Sequence, residues 1–326
     1  MLKPPEKLTV SEWADKYRIL DTKTSAEPGQ WSTDRTPYLR GILDAFTDPR
    51  VEEIIFVKPT QVGGTEALNN MLGYIVAQDP SPALVVYPTL ELAEYTSKNR
   101  LQPMMQLSPV LAGRFQEEES KLLELQFDGM YAVISGANSP ASLASRPIRF
   151  LFMDEVDKYP KNAGKEADPR SLARERTKTF AFNKKIVQTS TPTLKNGPIW
   201  QAYEKADVKL QYYVPCPHCG HFQTLKFKGG IKFNKELPAE QVRQTAYYEC
   251  EKCKEAIRDA HKPTMLRNGE WRDSTGATRL ATKTAFHLNA IYSPWVRFGD
   301  VAYEFLISKG DPETLMNFIN SWLAEP

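Results

Sequence analysis

The residues K-P-T-Q-V-G-G-T at positions 58–65 follow a short apolar run at 54–57 and precede an apolar helical pattern. A strand, a glycine-containing loop and a helix in this order are typical of a phosphate-binding loop, whose consensus is G-x-x-x-x-G-K-[ST]. Gly63 and Thr65 are in register with that consensus, whereas Gly64 occupies the usual lysine position. The stretch therefore predicts a phosphate loop of unusual sequence.

The chemistry of such a loop survives the changed lysine position. The loop needs backbone N–H groups, a helix N-terminus, one ammonium group and a hydroxyl for Mg²⁺. Lys58 supplies the ammonium from the start of the loop, and Thr65 supplies the hydroxyl. Gly63 and Gly64 permit close approach of the backbone to a phosphate. The alternative is an ordinary strand-to-helix turn with a surface lysine, and the rest of the chain must decide between the two.

A second stretch, R-F-L-F-M-D-E at 149–155, ends an apolar strand in two carboxylates about 90 residues after the loop. An ATPase with a phosphate loop requires such a strand. Asp154 would hold Mg²⁺, and Glu155 would orient and deprotonate the attacking water. The alternative is a strand that merely exits into a polar loop. The pairing of the two stretches favours the catalytic interpretation.

The stretch Q-T-S-T-P-T at 188–193 follows another apolar strand. Hydroxyl groups at the carboxyl end of a strand can sense a terminal phosphate by hydrogen bonding, and Pro192 ends the strand. Taken alone, this stretch is equally compatible with a plain turn.

Strands and helices alternate around these stretches, which is typical of a doubly wound α/β domain. Buried parallel strands should be continuous apolar runs. The predicted strands cover residues 54–57, 83–87, 131–135, 149–153 and 185–189, with helices from about 65 to 77 and from about 90. We expect a RecA-like (ASCE) phosphate-loop ATPase of class α/β, with a mostly parallel central sheet and helices on both faces.

The predicted organisation has four parts. Residues 1–50 form an N-terminal arm with a helix near 11–16, capped by Ser11, and a helix over 31–46. Residues 51–209 form the ATPase core, and 210–262 an inserted zinc-ribbon-like module. Residues 263–326, helical from about 300 to 323, complete the ATPase domain and lead towards a nuclease domain that we expect to be absent from this chain.

Composition excludes few classes of protein. The chain of 326 residues is 41% hydrophobic and 25% charged, with a formal net charge of +2, so its charge alone does not indicate a nucleic-acid binder. The N-terminus lacks the apolar stretch of a signal peptide, and no apolar run is long enough to span a membrane. A cytosolic setting follows by elimination.

All four cysteines lie in two C-x-x-C pairs, Cys216/Cys219 and Cys250/Cys253. In a reducing cytosol such pairs favour a metal over disulfides, and two knuckles with four thiolates match a structural zinc ribbon. His218 or His221 could replace one thiolate. Thiols without a metal would also fit this spacing, and so would a redox pair, which needs only one C-x-x-C.

The three stretches in this order resemble the large terminase subunits of tailed phages, of the lambda-type (GpA-like) branch. The resemblance covers most of the chain. Its motifs are S-E-W-A-D (11–15), G-Q-W (29–31), K-P-T-Q-V-G-G-T (58–65), V-V-Y-P-T (85–89), S-R-P-I-R-F-L-F-M-D-E-V-D (145–157), T-S-T-P-T (189–193), V-P-C-P-H-C-G (214–220) and H-L-N-A-I-Y-S-P-W (287–295). This branch is similar in placing a lysine at the start of the loop.

The resemblance implies a metal role for Asp154, a catalytic role for Glu155, and coupling of hydrolysis to movement by residues 189–191. It also implies a homo-oligomeric ring on the portal protein that pumps double-stranded DNA into a procapsid in the host cytoplasm, with a small terminase subunit as partner. The family carries a C-terminal endonuclease domain, for which we assign no residues here.

The candidate site residues follow from these observations. The catalytic candidates are Glu155 and Arg146, with Arg149 as the second choice for the arginine that phosphoryl transfer requires, in cis or in trans. The residues expected to bind ATP and Mg²⁺ are Lys58, Gln61, Gly63, Gly64, Thr65, Glu66, Asp154, Ser190 and Thr191, with Thr65 and Asp154 at the metal. Zn²⁺ would be held by Cys216, Cys219, Cys250 and Cys253. For the adenine we consider Trp31, Arg35 and Tyr38, although aromatic residues there are as often core.

A local excess of positive charge suggests where DNA binds. Between positions 158 and 185 there are nine Lys/Arg against three Asp/Glu, which fits sequence-independent phosphate contact at 170–178, although such a run is often only a solvated face. Three rivals remain: a helicase-like translocase, which needs a second RecA-like lobe, a non-catalytic zinc-ribbon nucleic-acid-binding module, and a nucleotide kinase, for which no acceptor lid is found.

Overall fold

The computed structural model describes residues 6–143 and 146–326. The first five residues of the predicted arm, and Ser145 of the motif at 145–157, lie outside the described residues. The strands are β1 (Ile19–Leu20), β2 (Gly29–Gln30), β3 (Glu53–Val57), β4 (Ala83–Tyr87), β5 (Glu124–Phe127), β6 (Met130–Gly136), β7 (Phe150–Asp154), β8 (Lys185–Ser190), β9 (Val208–Pro215), β10 (Phe222–Thr224), β11 (Ile231–Lys232), β12 (Tyr247–Glu249), β13 (Ala256–Ile257), β14 (Glu270–Arg272) and β15 (Lys283–His287).

The helices alternate with these strands in the first half of the chain. They are α1 (Val10–Tyr17), α2 (Tyr38–Thr47), α3 (Gly64–Gln78), α4 (Leu90–Thr96), α5 (Gln102–Leu107), α6 (Pro109–Ala112), α7 (Pro140–Leu143), α8 (Pro169–Glu175), α9 (Pro198–Glu204), α10 (Ala239–Thr245), α11 (Lys262–Arg267), α12 (Phe298–Ser308) and α13 (Pro312–Phe318). Two π-helical turns, Ser97–Leu101 and Ile319–Leu323, follow α4 and α13.

The chain divides into two compact units. The described residues of the first unit fall within 6–33, 42–54, 64–143 and 146–189, and those of the second within 34–41, 55–63 and 190–326. The phosphate loop passes from the second unit to the first between Gly63 and Gly64.

The first unit is built on a mostly parallel sheet. Its strands follow the order β8-β7-β4-β6, all parallel, and β5 adds an antiparallel edge. The start of β3 lies beside β8, because the Ile186 N–H donates to the Glu52 carbonyl over 2.9 Å. Every residue of β4 and β7 is buried, as expected where helices cover both faces of a parallel sheet.

The predicted strands are confirmed with small shifts in their ends, and β4 has the predicted bounds. The strand of this sheet that was missed is β5, whose residues alternate between half-buried and buried. This pattern belongs to an edge strand and gives no continuous apolar run.

The N-terminal helices differ from expectation. Thr9, and not Ser11, caps α1: the Thr9 side chain accepts from the Glu12 N–H, and the Glu12 side chain accepts from the Thr9 N–H. This reciprocal capping box satisfies two N–H groups at once. The helix expected over 31–46 begins only at Tyr38, because the preceding residues form a 3-10 turn, Thr33–Arg35.

The second unit holds its own strands. Here β9 pairs in parallel with β15, while β10 and β14 pair antiparallel with β9. A separate antiparallel sheet contains β11, β12 and β13. Because β9 spans residues 208–215 and belongs to the larger sheet, it crosses the predicted boundary between residues 209 and 210.

Within the described residues, no helix has both the length and the apolar character that a membrane span would require.

Candidate functional site

The phosphate loop joins β3 to the N-terminus of α3. Two of its residues have left-handed backbone, Gln61 with φ 56° and Gly63 with φ 85°. A Cβ atom on Gly63 would lie 2.9 Å from Leu39 Cδ1, so glycine is required there both for its φ and for space. Gly64 begins α3, a helix of 15 residues whose first N–H groups have no partner within the helix. This turn has the geometry of an anion site.

Lys58 lies at the start of the loop and is 4% exposed. Its N–H donates to the Ser190 carbonyl over 3.1 Å. The structure thus brings the predicted phosphate-binding lysine beside the predicted sensor stretch within the second unit.

Thr65 and Asp154 are in direct contact in the first unit. Thr65 Oγ1 donates to Asp154 Oδ2 over 2.8 Å, and Asp154 is 4% exposed. Asp154 is the last residue of β7 and lies opposite Thr189 of β8 in the parallel register. A hydroxyl and a carboxylate at this spacing are the protein ligands that Mg²⁺ takes in phosphate-loop enzymes.

Glu155 follows immediately and has left-handed backbone, with φ 54° and ψ 51°. Its carboxylate lies 3.2 Å from the Lys158 Nζ. A left-handed conformation costs a residue with a Cβ roughly 1–2 kcal/mol, and strain of this kind is concentrated at functional sites. The strained turn redirects the chain directly after Asp154.

Two tyrosines that the sequence analysis did not single out surround these carboxylates. Burial raises the pKa of Tyr87 and of Tyr159 well above the ordinary value, and the charge of Asp154 acts in the same direction. Tyr159 donates its hydroxyl to the Val86 carbonyl over 2.7 Å. Both phenols therefore stay neutral and line the site without contributing charge.

Glu66, in the first turn of α3, is held by two arginines. Arg18 Nη2 lies 3.0 Å from Glu66 Oε2, and Arg100 Nη2 lies 3.3 Å from Glu66 Oε1. Asn69 also donates to Oε1 over 3.2 Å. The sequence analysis missed both arginines, since nothing local marks residues 48 positions before and 34 positions after Glu66 as its neighbours.

The stretch at 189–191 lies at the carboxyl end of β8 and is buried. Thr189 Oγ1 and Thr191 Oγ1 have no hydrogen-bond partner among the described residues, whereas Ser190 Oγ donates to the Thr191 carbonyl over 3.0 Å. A buried hydroxyl without a partner is costly. A bound phosphate oxygen is the kind of acceptor that would satisfy each of them.

Neither predicted arginine lies at this site. Arg146 donates to both carboxylate oxygens of Glu124, over 2.7 and 3.0 Å. Arg149 donates to both oxygens of Asp79, over 2.6 and 2.7 Å. Arg149 directly precedes β7 and Asp154 ends it, so five extended residues, roughly 17 Å, separate them. The ion pair with Asp79 and this separation argue against a role for Arg149 within its own subunit, and its assignment stays a prediction.

The aromatic residues considered for the adenine are core. Trp31 is 7% exposed, and its indole N–H donates to Thr33 Oγ1 over 3.0 Å. Tyr38 is fully buried in the second unit. Arg35 instead lies over the ring of the half-exposed Trp295, 5.1 Å from the ring centroid.

The charges of the basic stretch at 158–185 are largely paired. Six of its nine cationic side chains contact acids or backbone carbonyls: Lys158 with Glu155, Arg170 with Asp168, Arg174 with Glu53, Lys178 with Glu175, Lys184 with Glu52, and Lys185 with the Asp48 and Val51 carbonyls. Five of these cations pair with acids, three of which (Glu155, Glu53 and Glu52) lie outside the stretch, so the positive excess is smaller than the count along the sequence suggests, and the DNA contact at 170–178 stays a prediction.

The four cysteines converge in the second unit. Their sulfur atoms all lie within 4.8 Å of one another, and the Cys216–Cys253 and Cys219–Cys250 distances are both 3.8 Å. A regular tetrahedron with Zn–S bonds of about 2.3 Å has S···S edges of about 3.8 Å. The thiols are free, not bonded as disulfides. The donor set and its spacing therefore fit a tetrahedral metal ion.

Both cysteine turns have the same backbone. In each, the residue after the second cysteine has left-handed backbone, Gly220 with φ 70° and Lys254 with φ 64°, and its N–H donates to the carbonyl of the first cysteine. Burial acts to raise the pKa of Cys250, but N–H groups of the turn, with its cysteine neighbours, lower it to about 6.

The two histidines in question point to other partners. His218 Nε2 lies 3.1 Å from the Ala256 carbonyl oxygen, and His221 Nε2 lies 2.9 Å from Glu251 Oε1. The geometry leaves the four thiols as the ligand set.

Comparison with known proteins identifies relatives over nearly the whole chain. Residues 25–271 match the family described as phage terminase large subunit gpA, ATPase domain, and residues 283–326 match the terminase large subunit gpA endonuclease domain. The second match begins at β15, within the residues that the sequence analysis assigned to the ATPase domain. The large terminase subunits of Enterobacteria phage P21 and Escherichia phage lambda are 26% and 23% identical to the chain, and each alignment covers 98% of the chain and 53% of the relative.

The chain thus spans about half the length of these curated relatives. Among solved structures, the large terminase of bacteriophage HK97 is 13% identical with a TM-score of 0.48, covering 60% of this chain and 40% of that one. The large terminase ATPase domain of Thermus phage P74-26 is 12% identical with a TM-score of 0.48, covering 84% and 88%.

Proposed function

The chain belongs to the gpA family of phage terminase large subunits, and on that premise we propose that it hydrolyses ATP to drive double-stranded DNA into a procapsid. The observation that carries the proposal is the contact of Thr65 with Asp154, followed by the strained Glu155. A hydroxyl, a buried carboxylate and a second carboxylate placed by the turn are the metal-binding and water-activating groups of a phosphate-loop ATPase.

In this proposal the phosphates bind at the N-terminus of α3. Lys58 contributes the ammonium group, while Gln61, Gly63 and Gly64 present backbone N–H groups to the phosphate oxygens. Glu66 fixes the first turn of α3 through its ion pairs. When bound, Mg²⁺ draws electron density from the phosphate oxygens and screens their charge.

Glu155 accepts the proton of the attacking water in the same proposal. Thr65 and Asp154 would bind the Mg²⁺ that accompanies ATP, and Ser190 and Thr191 would sense the terminal phosphate by hydrogen bonding. The support for a sensor role is that the Thr191 hydroxyl is buried without a partner among the described residues. Thr191 also directly follows Ser190, whose carbonyl accepts the Lys58 N–H.

The finer fold that we propose is the RecA-like (ASCE) arrangement. One strand, β8, lies between the strand that ends in Asp154 and the start of β3. A sensor strand between the phosphate-loop strand and the acidic strand is what this arrangement requires.

We further propose that the four cysteines bind one structural Zn²⁺ in a zinc-ribbon-like module. The two sulfur–sulfur distances of 3.8 Å and the matching turns support this assignment. A closed site of four thiolates stabilises a fold and has no open position for catalysis. It would order a module whose own strands have only two or three residues each.

The remaining parts of the proposal concern assembly in the host cytoplasm. The active form would be a ring on the portal protein, with a small terminase subunit as partner. Arg146, paired with Glu124 near the antiparallel edge strand β5, would serve the site of a neighbouring subunit. The match of residues 283–326 to the endonuclease family leads us to propose that the complete protein also cuts DNA.

Phosphate release with and without DNA tests the proposal. We expect Lys58→Ala to raise the KM for ATP and Asp154→Asn to abolish Mg²⁺-dependent turnover. Lys161→Ala, at an exposed lysine near the acidic strand, is the control and should behave like wild type. If Lys58→Ala and Asp154→Asn both kept wild-type activity, or if the wild-type chain assembled with its partners showed none, a non-catalytic zinc-binding role would replace this proposal.

A further inference from the structure

Phosphoryl transfer in ring ATPases uses an arginine that neutralises charge on the transferring group. Within the subunit, Arg146 and Arg149 are held by Glu124 and Asp79. Within the first unit, two other arginines lie directly beside the phosphate loop, on either side of Glu66.

These two arginines are bound very differently. The Arg18 side chain is 5% exposed, and besides Glu66 it contacts the Ile19 carbonyl. The Arg100 side chain is 31% exposed, and among the described residues a single ion pair of 3.3 Å, to Glu66, holds it. Arg18 is therefore a fixed clamp on α3, whereas Arg100 can leave its partner at little cost.

The charges around Glu66 do not balance. One carboxylate faces two guanidinium groups, next to a helix N-terminus that is itself positive. Burial lowers the pKa of Arg18, and the charge of Arg100 adds to this effect. The Asp154 carboxylate, which accepts from the adjacent Thr65, offsets this excess, and a phosphate bound beside Thr65 would give Arg100 another anionic partner.

The backbone at Arg100 is also unusual. Arg100 lies in the π-helical turn Ser97–Leu101, inserted between α4 and α5. Such turns are rare and are frequently found at functional sites. Arg100 pairs with Glu66, which directly follows Thr65, and Thr65 donates to Asp154, so these two contacts link Arg100 to the region of the metal-binding carboxylate.

We propose that Arg100 is a catalytic arginine that acts within its own subunit, moving from Glu66 to the phosphates of bound ATP while Arg18 keeps Glu66 in place. The proposal rests on the proposed ATPase function. Arg100 transfers no proton: the water oxygen bonds to phosphorus, the bridging P–O bond breaks towards ADP, and the water proton goes to Glu155. The role of Arg100 is to neutralise charge on the phosphoryl oxygens.

The test compares Arg100→Ala, Arg100→Lys and the control Lys98→Ala, which changes an exposed side chain in the same π-helical turn. We expect Arg100→Ala to lower kcat roughly 100-fold or more. Arg100→Lys should recover part of this loss, and Lys98→Ala should match wild type. Binding of ATPγS should weaken more than binding of ADP in Arg100→Ala, because the lost contact is to the terminal phosphate.

Each of three results would overturn the proposal. Equal weakening of ATPγS and ADP binding would show that Arg100 only supports the fold of α3. Recovery of activity on mixing Arg100→Ala with Glu155→Gln subunits would show that Arg100 acts on a neighbour. If Glu155→Gln alone kept its activity, the proposed function would fail. If Glu155→Gln were inactive but Arg100→Ala fully active, only this inference would fail.

Discussion

The left-handed backbone at Glu155 gives a quantitative prediction that links strain to catalysis. We compare Glu155→Gly with Glu155→Ala, because both remove the carboxylate and only glycine relieves the strain at φ 54°. Both variants also lose the ion pair with the exposed Lys158, so that contribution cancels in the comparison.

The expected difference follows from two opposing effects. A residue with a Cβ costs roughly 1–2 kcal/mol in left-handed backbone. Glycine gives back about 0.5–1 kcal/mol because it loses more freedom on folding. Glu155→Gly should therefore be about 1 kcal/mol more stable than Glu155→Ala, which is roughly 2–4 °C in melting temperature for a unit of this size.

Thermal unfolding followed by circular dichroism, beside a phosphate-release assay, measures both consequences. We expect both variants to lose turnover by roughly 100-fold or more, because no general base remains. Equal melting temperatures, or a more stable Glu155→Ala, would refute the strain argument. A Glu155→Gly variant with wild-type turnover would refute the catalytic assignment.

Three further predictions concern the second unit. Lys254→Gly should raise the free energy of unfolding by about 1 kcal/mol and Gly220→Ala should lower it by a similar amount or more, because both positions have left-handed backbone. Denaturant unfolding that shows both substitutions changing stability in the same direction would contradict this. Elemental analysis should find one Zn²⁺ per chain, and Cys219→Ser should lose most of it; a metal-free wild-type chain purified without chelator would exclude the site. Burial acts to raise the pKa of Asp300, but hydrogen bonds from Arg297 and Arg243 hold this pKa at about 2. The ionised carboxylate thus stabilises the fold above about pH 4 and stops doing so as pH falls towards 2. In urea unfolding, Asp300→Asn should therefore lower the free energy of unfolding by about 1 kcal/mol at pH 7 and by less at pH 3. A difference that stays constant with pH would contradict the assignment.

The elements that the sequence predicts well are those whose burial is complete. Both β4 and β7 are continuous apolar runs, and every residue of both strands is buried within the mostly parallel sheet. The edge strand β5 is half-buried and escapes this criterion. Strand β9 alternates between buried and mostly half-buried residues and begins where the composition changes, so composition alone assigned it to the inserted module.

Contacts between residues close to the motifs were predictable, and contacts made only by the tertiary structure were not. Asp154 and Thr65 were identified because strand ends and helix starts fix their positions. Arg18 and Arg100 meet at Glu66 from distant parts of the chain, and no local pattern indicates this. Tyr38 was considered for the adenine because the sequence alone does not distinguish an aromatic residue that contacts a ligand from one that is buried in the core.

Charge runs are misleading for a related reason. Arg174 belongs to the basic stretch in sequence, yet its guanidinium pairs with the buried Glu53, 121 residues earlier. Counting charges along the chain cannot detect such a partner, so a local excess in sequence is a poor measure of surface charge.

The central claim is that a lysine at the start of the loop and a carboxylate pair after β7 serve one ATP molecule. The most direct measurement is acid quenching of Glu155→Gln after mixing with ATP and Mg²⁺, followed by separation of bound ATP and ADP. We expect one uncleaved ATP per subunit in Glu155→Gln, and no bound ATP in the double variant that also carries Lys58→Ala. ADP formed at the wild-type rate, or ATP bound equally well without Lys58, would contradict the claim.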